Sequence, residues 1–168
     1  MDVLASSILR HAARHAGDAQ VVSRDARDGL HRGNWREVES RAGRLARALA
    51  QLGVQPGERV ATLAWNDHRH LEVYYATSGS GLVCHTINPR LFPDQIAWIV
   101  ADAADAVLCF DPGFLPLVEQ LHDRLGSVRH FVLMAGREHL PEHTTLPKLL
   151  SHDDLVAAQP EGFAWPDL

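Results

Sequence analysis

Residues 59–111 read RVATLAWNDHRHLEVYYATSGSGLVCHTINPRLFPDQIAWIVADAADAVLCFD, and their patterning decides the fold class. Three short apolar runs, at 60–64, 82–87 and 106–110, are separated by segments of helix length, and each run ends in a polar loop. Strand-length runs alternating with helical spacing predict strands joined by helices. A fourth run at 130–134 continues the alternation. Crossovers this long join parallel neighbours, since antiparallel neighbours can be joined by a tight turn. The three connecting segments carry stripes that can face a sheet: Leu71, Tyr74, Tyr75 and Ser78; Ile96, Ile99, Val100 and Ala103; and Phe114, Leu117, Val118 and Leu121. The expectation is an α/β fold, mainly a parallel sheet flanked by helices.

Before this stretch, Leu4, Ile8, Ala12 and His15 repeat at near-helical spacing and Gly17 supplies an end. Residues 20–23 and 30–32 read as short strands about an Asp28-Gly29 turn. From 35 to 52, Val38, Ala42, Leu45, Leu49 and Leu52 form one buried stripe. Asn34 is placed to cap that helix, Glu37 to complete a capping box, and Gly53 to end it. Gln55-Pro56-Gly57 is the best internal boundary, which divides the chain into 1–56 and 57–168. Beyond Met134 the pattern weakens into a polar loop, with a short helix expected at 146–150 and no helical periodicity from 160 onward.

The chain has 168 residues, enough for one core, because a domain of this size removes about 70% of its unfolded surface from water. A formal charge of −5 and a pI near 6.1 lack the basic stripe of a nucleic-acid binder. Lys148 is the only lysine, so any phosphate contact falls to arginine, backbone amides or helix N-termini. Cys84 and Cys109 lie in apolar runs and read as packing groups in a reducing compartment. No run approaches the roughly 20 apolar residues of a membrane span, nor is there a signal-peptide core. A cytoplasmic location is expected.

Ligands of open parallel sheets bind outside the carboxyl ends of the strands, where loops and helix N-termini converge. Three loops qualify: Trp65-Asn66, Asn88-Pro89-Arg90 and Asp111-Pro112-Gly113. Arg90 can meet an anion, although contacts to local carbonyls are the plainer role. Pro93 opens a helix. Asn66 is placed to cap the helix that begins near Asp67. Trp65 either packs or lines an apolar pocket. His68, His70 and Glu72 invite a metal reading, but on a helix His68 faces Glu72 and not His70, and two ligands make no site. Gly79-Ser80-Gly81 precedes a strand, the wrong order for a phosphate-cradling turn. No nucleophile elbow is present.

The segment HTINPRL at 85–91, with VATLAWNDHRHLE at 60–72, resembles the N-terminal region of AMP-forming acyl-CoA synthetases, most closely the fatty-acyl-CoA ligases of the adenylate-forming superfamily. The resemblance covers nearly the whole chain but only the first part of the family. It implies that 1–56 and 57–168 contribute to different subdomains. It also makes Asn88, Pro89, Arg90 and Asp111 candidates for the wall beside the CoA nucleotide. Phe92 departs from the Ser or Thr that similar sequences often carry before the proline, and so lacks a capping oxygen.

The parent reaction implied is fatty acid, ATP and CoA giving acyl-CoA, AMP and pyrophosphate, with magnesium. The family's Gly/Ser/Thr-rich phosphate loop ending in Pro-Lys-Gly, its later acidic and aromatic elements, and its mobile-domain lysine do not occur in residues 1–168. The expectation is therefore an N-terminal fragment that takes no cofactor and is inactive by itself. Apolar surface left without cover would make it self-associate. The alternative is a noncatalytic α/β interaction or dimerisation module. An unrelated flavodoxin-like binding domain would need an acidic cluster or phosphate loop at the strand ends, and neither is clear.

Overall fold

The computed structural model describes residues 4–25 and 29–167. Its centre is a five-stranded sheet of β3 (Arg59–Leu63), β4 (Val83–Thr86), β5 (Val107–Phe110), β6 (His130–Leu133) and β7 (Leu150–Ser151), in the order β4-β3-β5-β6-β7. Every pairing is parallel, with Val60 opposite both Cys84 and Val107. Between them run α3 (His68–Ser78), α4 (Pro93–Ala103) and α5 (Leu115–Leu121). The chain steps from β3 outward to β4 and then crosses back to β5 on the other side of β3. The direction of winding therefore reverses between β3 and β5.

Alternate strand residues feed two cores, as the period of two requires. Val60, Val107, Cys109 and Val132 pack with α2 (Trp35–Gln51) and α3, while Ala61, Leu63, Leu108 and Phe110 pack with α4 and α5. On α4 and α5 the buried residues include Ile96, Val100, Val118 and Leu121, as the spacing predicts.

At the N-terminal end lie α1 (Ala5–His15) and an antiparallel hairpin of β1 (Gln20–Asp25) and β2 (Gly29–Asn34). Asp28, half of the expected turn signal, lies outside the described residues. The helix after the hairpin is capped as expected. Asn34 accepts from the Glu37 amide at 3.0 Å, and the Glu37 carboxylate accepts from the Asn34 amide at 3.2 Å. Gly53 follows in the left-handed region at φ 81.

Four sequence expectations are corrected. On α1 the buried face is Ser6, Leu9 and Ala13, while Ile8 is 55% exposed, so the helix stands but its stripe is rotated by about one position. On α3 the buried face is His68, Arg69, Glu72, Val73, Ala76 and Thr77, and Tyr74 is exposed. That helix packs against α2 through charged partners, which an apolar stripe does not register. Its cap is Asp67, whose Oδ1 accepts from the His70 amide at 2.9 Å, and not Asn66. No helix forms at 146–150. Leu150 and Ser151 pair with Val132 and Leu133 as β7, and Ser151 then caps α6 (His152–Ala157) by accepting from the Asp154 amide.

The segments 1–56 and 57–168 share one core and a charged joint. Arg41 of α2 donates to Glu72 Oε1 at 2.6 Å and to Asp153 Oδ1 at 2.7 Å, and Arg69 donates to Asp153 Oδ2 at 2.9 Å. Glu72 and His152 are almost fully buried, with His152 Nε2 3.4 Å from Glu72 Oε2. Burial works to raise the Asp153 carboxyl, but the hydrogen bonds and charges of His152 and Arg69 outweigh it and hold the group well below the usual carboxylate range. Residues 160–167 cross the same side. Arg47 donates to the carbonyls of Pro160 and Gly162, and Phe163 and Trp165 lie against Gly43 and Gly79.

Candidate functional site

The loops following β3 and β4 enclose a cleft of about 380 Å³ lined by Trp65, Asn66, His70, Asn88, Pro89 and Arg90, among others. A second hollow of about 280 Å³ adjoins it past Asn66 and His70, toward Leu71 and Tyr74. Both lie at the carboxyl ends of the strands, where an open parallel sheet binds its ligands.

The wall after β4 is built locally. Asn88 Oδ1 accepts from the Arg90 amide at 3.0 Å, an Asx turn that fixes the tight passage from strand to helix. Phe92 makes no side-chain cap, as its chemistry requires, and only half of a capping box remains, with Gln95 Oε1 accepting from the Phe92 amide at 3.0 Å. Arg90 is exposed. Its guanidinium takes part in no hydrogen bond or ion pair among the described residues, and the residue lines the cleft.

The wall after β3 is held from behind. Asp111 is only 8% exposed, and its Oδ2 accepts from the Trp65 amide at 2.7 Å. The Trp65 carbonyl accepts from the Asp67 amide at 3.1 Å and lies 3.2 Å from His70 Nδ1. A carbonyl can only accept, so the proton belongs on Nδ1. His70 Nε2 is then the acceptor for the Thr62 hydroxyl, 3.0 Å away. Burial keeps this imidazole below its ordinary pKa, against the Trp65 carbonyl and the charge of Asp67. The Trp65 indole, 47% exposed, leans on Phe114 with ring centroids 5.7 Å apart.

Of the four residues singled out in the sequence, Asn88, Pro89 and Arg90 are together on the cleft, whereas Asp111 stands behind the Trp65 loop. His70 is the residue sequence reasoning missed as a site component. The available signal was its place in the first turn of α3, directly after a strand-end loop. His68, His70 and Glu72 turn to three different partners. His68 stacks on His31 of the hairpin with centroids 3.6 Å apart, His70 meets Thr62, and Glu72 meets Arg41. Among the described residues no group of three His, Cys, Asp or Glu side chains could hold a metal ion. Nor is any described helix long and apolar enough to cross a membrane.

Comparison with known proteins places this geometry. Residues 9–162 match the family model described as AMP-binding enzyme. Among curated relatives, a 3-methylmercaptopropionyl-CoA ligase of Ruegeria lacuscaerulensis is 48% identical over 98% of this chain and 30% of its own length. A medium-chain-fatty-acid–CoA ligase of Ectopseudomonas oleovorans is 45% identical over 96% of this chain and 30% of its own. The solved structure of a putative long-chain-fatty-acid CoA ligase from Rhodopseudomonas palustris superimposes with a TM-score of 0.80 at 25% identity, covering 99% of this chain and 39% of that one. The chain thus spans about 30% of the length of the curated relatives it matches. It belongs to the AMP-binding enzyme family, and its sheet and flanking helices are those of the N-terminal part of the adenylate-forming fold.

Proposed function

We propose that this chain is the N-terminal part of a cytoplasmic fatty-acyl-CoA ligase and that its cleft forms the wall beside the CoA nucleotide. The observation that carries the reading is the free guanidinium of Arg90 at the carboxyl edge of the sheet, in a chain whose relatives bear CoA-ligase names. In the parent reaction a fatty acid carboxylate displaces pyrophosphate from ATP to give acyl-AMP, and the CoA thiol then displaces AMP. Arg90 would pair with a phosphate of CoA, Asn88 and Pro89 would shape the turn that presents it, and Asp111 would hold the neighbouring loop. The groups that engage ATP and magnesium belong to parts of the ligase outside residues 1–168, so this chain alone forms no acyl-CoA. Within the whole ligase, 1–56 and 57–168 contribute to different subdomains.

A chimera tests this reading. These residues replace the corresponding segment of the medium-chain relative, and acyl-CoA formation is followed. An active chimera in which Arg90→Ala raises KM for CoA about tenfold, with KM for ATP unchanged, is the expected result, because only CoA would then be deprived of a charge-assisted hydrogen bond. Equal changes in both KM values, or none, would overturn it.

One observation favours a second reading, a noncatalytic interaction or dimerisation module. Phe92 and Trp98 are 76% and 65% exposed on and beside α4, next to a hollow lined by Leu91 and Ile99. Light scattering over a micromolar dilution series discriminates. Because an uncovered fragment would also self-associate, only a discrete dimer abolished by Trp98→Gln supports the module, and open-ended association that survives the substitution, or a monodisperse monomer throughout, removes it.

A further inference from the structure

The winding of the sheet reverses between β3 and β5, and at such a switch point the loops part to leave a crevice for a ligand. Trp65 and Asp111 occupy that point. The Trp65 peptide is fixed on both of its polar atoms, its amide by a buried carboxylate and its carbonyl by the Asp67 amide and the His70 ring. A carboxylate as buried as that of Asp111 is costly unless its hydrogen bonds are retained. The indole so positioned is left half in solvent. One side rests on Phe114 and the rest lines the cleft that also carries Arg90.

We propose that Trp65 is a stacking platform for the purine base of a nucleotide whose phosphate meets Arg90, with Asp111 as its positioning residue. A rigid, exposed aromatic face beside an unpaired guanidinium matches a base carrying phosphate, since bases stack on indole and guanidinium pairs with phosphate in bidentate fashion. A fatty acyl chain would make no use of the guanidinium or of the Asn66 and Asn88 amides around the same cleft. The inference rests on the reading of this cleft as the CoA-nucleotide wall and adds the residue that would recognise the base.

The test follows tryptophan emission of the 168-residue chain titrated with CoA, adenosine 3′,5′-bisphosphate and pantetheine, with isothermal titration calorimetry giving the affinity of every variant. Both adenine compounds should quench emission and pantetheine should not. Trp65→Phe should abolish the quench, separating Trp65 from Trp35, Trp98 and Trp165, yet keep affinity within a few-fold because phenylalanine still stacks. Trp65→Ala should weaken binding about tenfold or more. Asp111→Ala should mimic Trp65→Ala, and Asp111→Asn, which keeps an acceptor oxygen, should restore binding. A quench that survives Trp65→Phe, or quenching by pantetheine alone, overturns the platform. Where Trp65→Ala does not fold, the phenylalanine variant and the three-ligand series still decide. Should CoA bind Trp65→Ala as tightly as the wild type, the platform falls while the CoA wall stands. Should adenosine bisphosphate behave as expected and CoA not bind, the CoA wall falls and the platform stands.

Discussion

The charged joint and the cleft lie on either side of the first turns of α3, yet they use their polar groups in opposite ways. In the joint Arg41, Glu72, Arg69 and Asp153 face one another across three helices, two of them nearly sealed from solvent. On the cleft Arg90 makes no ion pair among the described residues and Trp65 stays half exposed. Charges satisfied within the chain hold elements together. Groups held rigid but left unsatisfied are available to a ligand. The same helix serves both, with Arg69 and Glu72 turned to the joint and His70 to the cleft.

The strongest challenge to this contrast is to break the joint. Glu72→Ala removes the 2.6 Å partner of Arg41, which keeps Asp153, so stability by chemical denaturation should fall by about 1.5–3 kcal/mol, the range of a lost charge-assisted hydrogen bond. A loss below about 1 kcal/mol, the range of surface pairs, would mean that the joint is solvated in practice. A smaller effect is expected where the tail crosses α2. A methyl group added at Gly43 would meet Phe163 Cβ at 2.6 Å, so Gly43→Ala should cost about 1–3 kcal/mol and expose residues 160–167 to protease. Unchanged digestion would show that Phe163 yields freely.

Acid should act on the hairpin side of α3 before it reaches the joint. His68 is driven down to about 3, by burial first and then by the positive charges of Arg69 and its neighbours. Its folded pKa lies below its unfolded value near 6.5, so the unfolded chain binds the proton more readily. Stability is then fully present above the unfolded value and falls as pH drops from about 6.5 toward 3, by at most about 1.4 kcal/mol per pH unit. Asp153 also has a depressed folded pKa, but its contribution is lost only below the ordinary carboxylate value near 4. His70, also lowered by burial, adds a loss of the same sign, so denaturation midpoints at pH 7, 6 and 5 are compared with those of His68→Gln, and an identical slope in the two would show that His68 titrates normally.

Two milder changes complete the comparison. Asn34→Ala removes the cap of α2 and should cost about 1 kcal/mol. Arg90→Ala should leave stability within about 0.5 kcal/mol, as expected of a side chain that supports nothing in the fold. A large loss there would place Arg90 with the joint instead of the ligand.

Which expectations held follows from what each element packs against. On α4 and α5 the stripes matched because those helices lie on an apolar sheet face, where burial and hydrophobicity coincide. On α1 and α3 they did not, because Ser6, Arg69 and Glu72 are buried. The second strand-end wall was legible in part. Asn88-Pro89-Arg90 is a local turn whose residues state their geometry, whereas the Asp111 to Trp65 bond joins residues 46 apart in the chain.

By itself the sequence determined the alternation of strands and helices, the capping box at Asn34 and Glu37, the parallel pairing, and membership of a family recognisable from HTINPRL. All of these depend on neighbours within a turn or two, or on an apolar period. Only the tertiary structure decided that β7 exists, since two residues carry no period and strand form here depends on β6 beside them. It also decided that Asp67 and not Asn66 caps α3, because either side chain has the chemistry and only backbone direction chooses between them. The pairing of Arg41 with Glu72 and Asp153, and the clamp on Trp65, are likewise tertiary. They satisfy buried charge with partners 31 to 112 residues away, and nothing local in the chain records which distant group will arrive.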